Sequence, residues 1–310
     1  MYLQRNKLFF GIGSFSKINF LSLWKESVFI SAFSKKSGYK LFYYMIMKDT
    51  SLMPVLFVGH GSPMNALEDN EFTQTWTEIS AKLPKPQAIV CISAHWETKG
   101  TYVTGTKAPK TIHDFYGFPS ELYEQNYPTP GSPELARYIV EHVKDVAIEE
   151  NLEWGLDHGA WAVLKYLYPQ ADIPVVQISI DHYKDPLWHY ELGKQLSFLR
   201  TKGVLVIGSG NMIHNLRIMR FSGSDFNAES GYDWAFEINE LFKRKIEVED
   251  FESLINYQSL HKDIKLAIPT TEHYLPLLYV LGMKKQGDLI TVFNDKVIAG
   301  SLSMTSIMIN

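Results

Sequence analysis

Four apolar runs, each followed by a histidine, constrain this chain more than any other feature. Val55-Leu56-Phe57-Val58-Gly59 leads to His60, and Ala88-Ile89-Val90-Cys91-Ile92-Ser93-Ala94 leads to His95. Val175-Val176-Gln177-Ile178-Ser179-Ile180 ends in Asp181-His182, and Val204-Leu205-Val206-Ile207 runs through Gly208-Ser209-Gly210-Asn211 to His214. Short runs of branched residues bounded by Gly and Pro read as buried strands. Helical segments lie between them, so the pattern is α/β. The expected fold is a single α/β domain whose central, mostly parallel or mixed sheet is flanked by helices. In open α/β sheets ligands sit beyond the carboxyl ends of the strands. If the four strands are parallel and adjacent, their histidines converge there. Imidazole is the commonest metal ligand among side chains, so the pattern points to a metal site at the strand C-terminal ends.

The segments between the runs carry their own signals. Phe72, Trp76 and Ile79 fall at helical spacing. Ser132 is placed to cap a helix with Pro133 at its first position, running to about Val143. Asp157 is placed to cap a helix that begins with His158, at the positive end of the dipole. Residues 186–200 and 234–246 read as helices. Thr270-Thr271 precede His273 with capping chemistry for another. Residues 97–131 read as a long irregular binding loop, and residues 221–232 as a surface loop. Ile290–Phe293 and Lys296–Ser301 read as a closing hairpin around Asn294-Asp295.

Charge divides the chain. Residues 1–47 hold seven basic residues and one acid, a net +6, while the remainder carries 23 basic and 33 acidic residues, a net −10. The first segment is expected to be a basic, poorly structured N-terminal extension, and residues 48–310 the catalytic domain. An overall charge of −4 gives no basic surface for nucleic acid. No apolar run is long enough for a membrane span. Cys91 is the one cysteine, so no intrachain disulfide forms and a cytoplasmic setting fits. Nothing demands more than a monomer.

Five motifs occur in order: Gly59-His60-Gly61-Ser62-Pro63, Ser93-Ala94-His95-Trp96-Glu97, Asp157-His158-Gly159, Gly208-Ser209-Gly210-Asn211-Met212-Ile213-His214-Asn215-Leu216, and Glu272-His273-Tyr274-Leu275-Pro276. This set resembles the 4,5-DOPA extradiol dioxygenase family, within the class III extradiol ring-cleaving superfamily. The resemblance runs from about Met53 to the C-terminus. It implies one divalent metal per chain, Fe(II) for dioxygenase activity or Zn(II) as bound, together with a small catecholic substrate and O2. It also implies His60, His95, His214 and His273 as metal ligands. His214 is implied as the acid/base, and His158 as a histidine near the substrate. Three facial ligands on non-haem Fe(II) leave positions open, and a neutral imidazole nearby removes a substrate proton. For that base His214 comes first and His158 second.

His182 and His113 are further candidates to line the substrate site, whereas His142, His189 and His261 read as solvated. Trp96 and Tyr274 read equally as pocket walls or as packing. Asp157 and Glu272 are placed to orient ligands by accepting the second imidazole proton. Two other functions stay open on sequence alone. One is a zinc-dependent hydrolase using the same histidines. The other is a non-catalytic binding relative.

Overall fold

The computed structural model describes residues 52–220 and 225–310; the expectation for residues 1–47 lies outside them. In chain order the strands are β1 (Val55–Gly59), β2 (Ala88–Thr98), β3 (Thr101–Thr104), β4 (Ile148–Asn151), β5 (Val175–Asp181), β6 (Val204–Gly210), β7 (Ile290–Phe293), β8 (Val297–Ile298), β9 (Leu302–Ser303) and β10 (Ser306–Ile309). The helices of eight residues or more are α1 (Glu71–Lys82), α2 (Pro133–His142), α3 (His158–Leu167), α4 (Pro186–Leu196), α5 (Asp233–Glu247) and α6 (Leu275–Gly282).

Eight strands form one mixed sheet in the order β4-β3-β5-β2-β6-β1-β10-β7. The four histidine-bearing runs are its centre, adjacent and mutually parallel: β5 with β2, β2 with β6, β6 with β1. Every residue of β1, β5 and β6 is buried, which is why they read as continuous apolar runs and not as alternating ones. Alternate residues still choose a face. Leu56, Val58, Ile89, Cys91, Leu205 and Ile207 share a cluster with Phe72 and Trp76 of α1 and Trp161 of α3. Helix α6 is buried at all eight positions and packs with α4 on β6. Two glycines bring these helices together: a Cβ on Gly193 would lie 2.3 Å from Tyr279 O, and one on Gly282 2.3 Å from Tyr190 O.

Capping follows local chemistry. Asn70 Oδ1 accepts from the backbone of Phe72 and Thr73, and Thr73 Oγ1 accepts from Asn70 N. Ser132 accepts from Leu135 N, with Pro133 at the first position of α2. Asp157 accepts from Ala160 N.

Three expectations are corrected. Residues 290–301 do not close as a hairpin: β7 pairs antiparallel with β10, and β8 pairs with β9. Asn294, at φ +50°, turns the chain so that Val297 and Ile298 enter the core, leaving the edge of β10 to β7. Threonine capping of the segment at His273 is absent: α6 begins at Leu275 with no side-chain cap, and Thr270 Oγ1 donates to Glu272 Oε1 instead. His189 is fully buried on α4 and not solvated. It shares a stripe with Leu192, Gly193 and Leu196, and its Nδ1 bonds Tyr279 Oη at 2.9 Å. The loop at 97–131 also contains β3 and a short helix at Ser120–Tyr123. Among the described residues no helix is long and apolar enough to cross a membrane.

Candidate metal centre

The site begins where the parallel strands stop. His60 follows β1, and its N–H donates to Gly210 O at the end of β6. Gly61 then turns the chain at φ +65°, in the left-handed region where only glycine sits without strain. β2 passes through a register shift between Ile92 and Glu97 that includes His95. Beyond β6, Asn211 N donates to His273 O at 2.9 Å. A Cβ on Gly210 would lie 2.2 Å from that same carbonyl. The missing side chain at position 210 therefore lets the His273 backbone lie against the strand end.

His60, His95 and His273 come together here. One ring nitrogen of each lies within 4.8 Å of the others. His60 and His273 are buried. Each imidazole has its Nδ1 beside an oxygen. Ser209 Oγ donates to Gly159 O at 2.5 Å, so it can only accept from His60 Nδ1–H, at 3.0 Å. His273 Nδ1 lies 3.0 Å from Glu272 Oε1, and His95 Nδ1 lies 3.2 Å from Asp114 Oδ2. A carboxylate only accepts, so His273 Nδ1 carries the proton, and the Asp114 carboxylate favours the same placement on His95 Nδ1. The remaining Nε2 atoms hold lone pairs. His60 Nε2 and His95 Nε2 are 3.1 Å apart. His273 Nε2 is buried with no partner. Converging lone pairs with one buried orphan acceptor repel each other unless a cation sits among them. Nitrogen ligands whose second ring atom is held by an oxygen are the usual dress of a divalent metal, and these residues fit one.

The electrostatics agree. Burial, then the neighbouring imidazoles, hold His60 and His273 well below the ordinary histidine value. Burial and His158 bring His95 down to about 3 against the pull of Asp114. Burial brings His214 to about 4. All four are neutral at pH 7, the form that ligates.

The other expected residues fall around this triplet. His214 does not join His60 and His95: its ring lies flat on His273, with centroids 3.4 Å apart and planes at 6°, and its ring nitrogen groups with Glu272 and His273. His158 begins α3, with its ring centroid 3.9 Å from that of His95 and 5.6 Å from that of His60. His182 is exposed after β5 and rests on Tyr183. The strand that carries it lies at the outer side of the parallel four. His113 donates from Nε2 to Gln125 O at 2.9 Å and packs on Trp161. Trp96 stacks on Trp154, and Tyr274 donates to Leu254 O; both are packing residues. Glu272 orients His273 as expected. Asp157 does not contact an imidazole: it accepts from Ser93 Oγ, Gln177 Nε2 and Ala160 N.

Two orienting residues escaped the sequence reading, Asp114 and Ser209. Ser209 had a signal, being a hydroxyl inside an otherwise apolar run. Asp114 had none beyond its place in the aromatic loop.

The chain is similar to known proteins over most of its length. Residues 54–299 match the family described as the catalytic LigB subunit of aromatic ring-opening dioxygenase. A protein of Escherichia coli strain K12 named 4,5-DOPA dioxygenase extradiol is 47% identical over 268 residues, covering 85% of this chain and 97% of the relative. The protein of the same name from Beta vulgaris is 34% identical over 266 residues, covering 83% and 97%. A crystal structure of an uncharacterized protein from Escherichia coli K12 superposes with a TM-score of 0.72 at 44% identity, covering 83% of this chain and all of the other.

Proposed function

The chain belongs to the family of the catalytic LigB subunit of aromatic ring-opening dioxygenases, and from that premise we propose that it opens the ring of a catechol such as DOPA with O2, by 4,5-cleavage, at one divalent metal held by His60, His95 and His273. The observation that carries the ligand set is the shared arrangement of these three rings: Nδ1 beside an oxygen, Nε2 of His60 and His95 3.1 Å from each other, and Nε2 of His273 buried without a partner. Bound there, Fe(II) would supply open positions for substrate and the redox chemistry that Zn(II) lacks.

The chain's own residues handle the protons. Asp114 Oδ2 accepts from His158 Nδ1 at 3.0 Å. His158 Nε2 is therefore the basic atom, and the imidazolium formed on taking a hydroxyl proton is stabilised by the carboxylate behind it. This arrangement favours His158 over His214 as the base. His214 stays neutral with a pKa of about 4, and its ring, flat on a ligand, serves as a hydrogen-bonding wall for the substrate. Phe115, edge-on to His158 at 5.6 Å and packed on Phe118 and Tyr123, gives the loop an aromatic surface suited to a planar ring. The catalytic domain in this reading is residues 48–310 of a cytoplasmic monomer, with residues 1–47 as a basic extension outside the chemistry.

The test is anaerobic loading with Fe(II) or Zn(II), then air and DOPA, with oxygen uptake and visible absorbance followed together. We expect uptake from the iron form alone, abolished in His60→Ala. Tight metal binding without uptake on any of several catechols overturns the reading; turnover of an amide or ester without O2 would replace it with metal-dependent hydrolysis.

A further inference from the structure

Asp114 sits on the long loop, yet it touches the centre twice. Its Oδ2 lies 3.0 Å from His158 Nδ1 and 3.2 Å from His95 Nδ1. Its Oδ1 accepts from His158 N at 2.9 Å. That N–H is the first of α3, one of the donors a helix leaves unsatisfied at its start. One carboxylate thus closes a helix end, accepts from His158 Nδ1–H and lies 3.2 Å from Nδ1 of the metal-facing His95, so the same oxygen faces both imidazoles. The side chain is mostly buried, 18% exposed, so water competes little for these bonds.

We infer that Asp114 is a shared positioning residue, which fixes His95 and His158 in the Nδ1–H tautomer and so makes metal ligation and proton transfer depend on the same loop side chain. The inference rests on the ligand and base assignments proposed above. Its logic is one of donors and acceptors. With Asp114 in place, an Nδ1–H on each ring meets an acceptor, and each Nε2 keeps its lone pair. The loop that meets the substrate carries the acceptor, so any displacement of that loop releases both rings at once. Glu272 differs, since its bond reaches His273 alone among these rings.

Asparagine at this position separates positioning from mere packing. The backbone N–H of His158 cannot change from donor to acceptor, so the amide oxygen of the substituted side chain stays on it. The amide NH2 then faces both Nδ1 atoms. To avoid donor against donor, the imidazoles must move their proton to Nε2, which removes the lone pairs that ligation and base catalysis use. The isosteric change is therefore more damaging than outright deletion. In Asp114→Ala, either tautomer is free to form, and a small carboxylate can enter the space.

The experiment compares Asp114→Asn, Asp114→Ala and Glu272→Gln in the full chain. Zinc affinity is read by competition with a chromophoric chelator, imidazole tautomers by 15N NMR of the zinc-loaded protein, and turnover at saturating iron. Asp114→Asn is expected to weaken zinc binding by about 10- to 100-fold, the usual consequence of losing a ligand's orienting partner. Its turnover should fall further than that of Asp114→Ala; the same exchange beside a catalytic imidazole can cost about 10⁴-fold. Formate should restore Asp114→Ala and leave Asp114→Asn unchanged. Glu272→Gln should lose affinity but recover turnover when metal saturates. Asp114→Asn equal to or better than Asp114→Ala, no formate rescue, or an effect on only one of affinity and turnover overturns the inference. If Asp114→Asn does not fold, Asp114→Ala with and without formate decides. Affinity and tautomers are measured without catechol, so a failed dioxygenase reading leaves this test standing.

Discussion

Gly210→Ala is the sharpest probe of how the sheet places the centre. A Cβ there would lie 2.2 Å from His273 O and 3.3 Å from Pro276 Cγ. Carbon and carbonyl oxygen approach to about 3.3 Å in ordinary close contacts, so about 1 Å must be found. The carbonyl cannot simply swing away, because it accepts from Asn211 N, and Pro276 Cγ limits how far the new methyl can retreat. The movement therefore passes into residue 273 itself. Overpacking of this kind costs about 1–3 kcal/mol, at about 2–4 °C per kcal/mol for a chain of this size. A misplacement of about 1 Å can also cost about 100-fold at a preorganised site. If metal affinity falls by that factor, the stabilisation by a fixed excess of metal falls by about 2.8 kcal/mol. Thermal unfolding with and without zinc separates the two effects. The metal-free variant should melt lower than the metal-free parent, and its zinc-induced shift should be smaller. A lowered midpoint with an undiminished zinc shift would refute the link between Gly210 and the His273 ring. An unchanged metal-free midpoint would refute the steric argument itself.

Acid should destabilise the metal-free protein through the same histidines. Folded His95 titrates at about 3 and His214 at about 4, both held down by burial, whereas unfolded histidine titrates near 6.5. Their contribution is complete above pH 6.5. It is lost as pH falls toward 4, because the unfolded chain binds protons that the folded one refuses, at about 1.4 kcal/mol per pH unit for each group. Urea midpoints at pH 7.5 and 5.0 test this, and equal midpoints would contradict it. At the opposite end of the sheet, fully buried Arg200 donates to Met53 O and Met283 O and pairs with Asp288. Arg200→Met leaves that carboxylate without its cation and should cost about 3–5 kcal/mol, with metal affinity unchanged. A loss below about 1 kcal/mol by urea titration would count against the pair.

What the sequence disclosed depended on how local its cause was. Strands buried on both faces read as apolar runs, so β1, β2, β5 and β6 were legible, and so were the histidines at their ends. The β7–β10 pairing was not, because Asn294-Asp295 carries hairpin chemistry while the partner of β7 lies beyond a second turn. His189 was readable in principle: it lies on the same helical stripe as Leu192 and Leu196, and only its polarity suggested solvent. The centre divides along the same line. His60, His95 and His273 are neighbours of strand ends or of a glycine contact, and their residue types announce them. Asp114 lies 44 residues from His158, and nothing in its local spacing predicts which rings it meets. That distance matters for function, since a neutral imidazole is a ligand or a base according to where its lone pair points. The lone pair points away from whichever nitrogen an acceptor holds. Ser209, Glu272 and Asp114 therefore decide what the histidines can do, and of these only Glu272 stands beside its histidine in the chain.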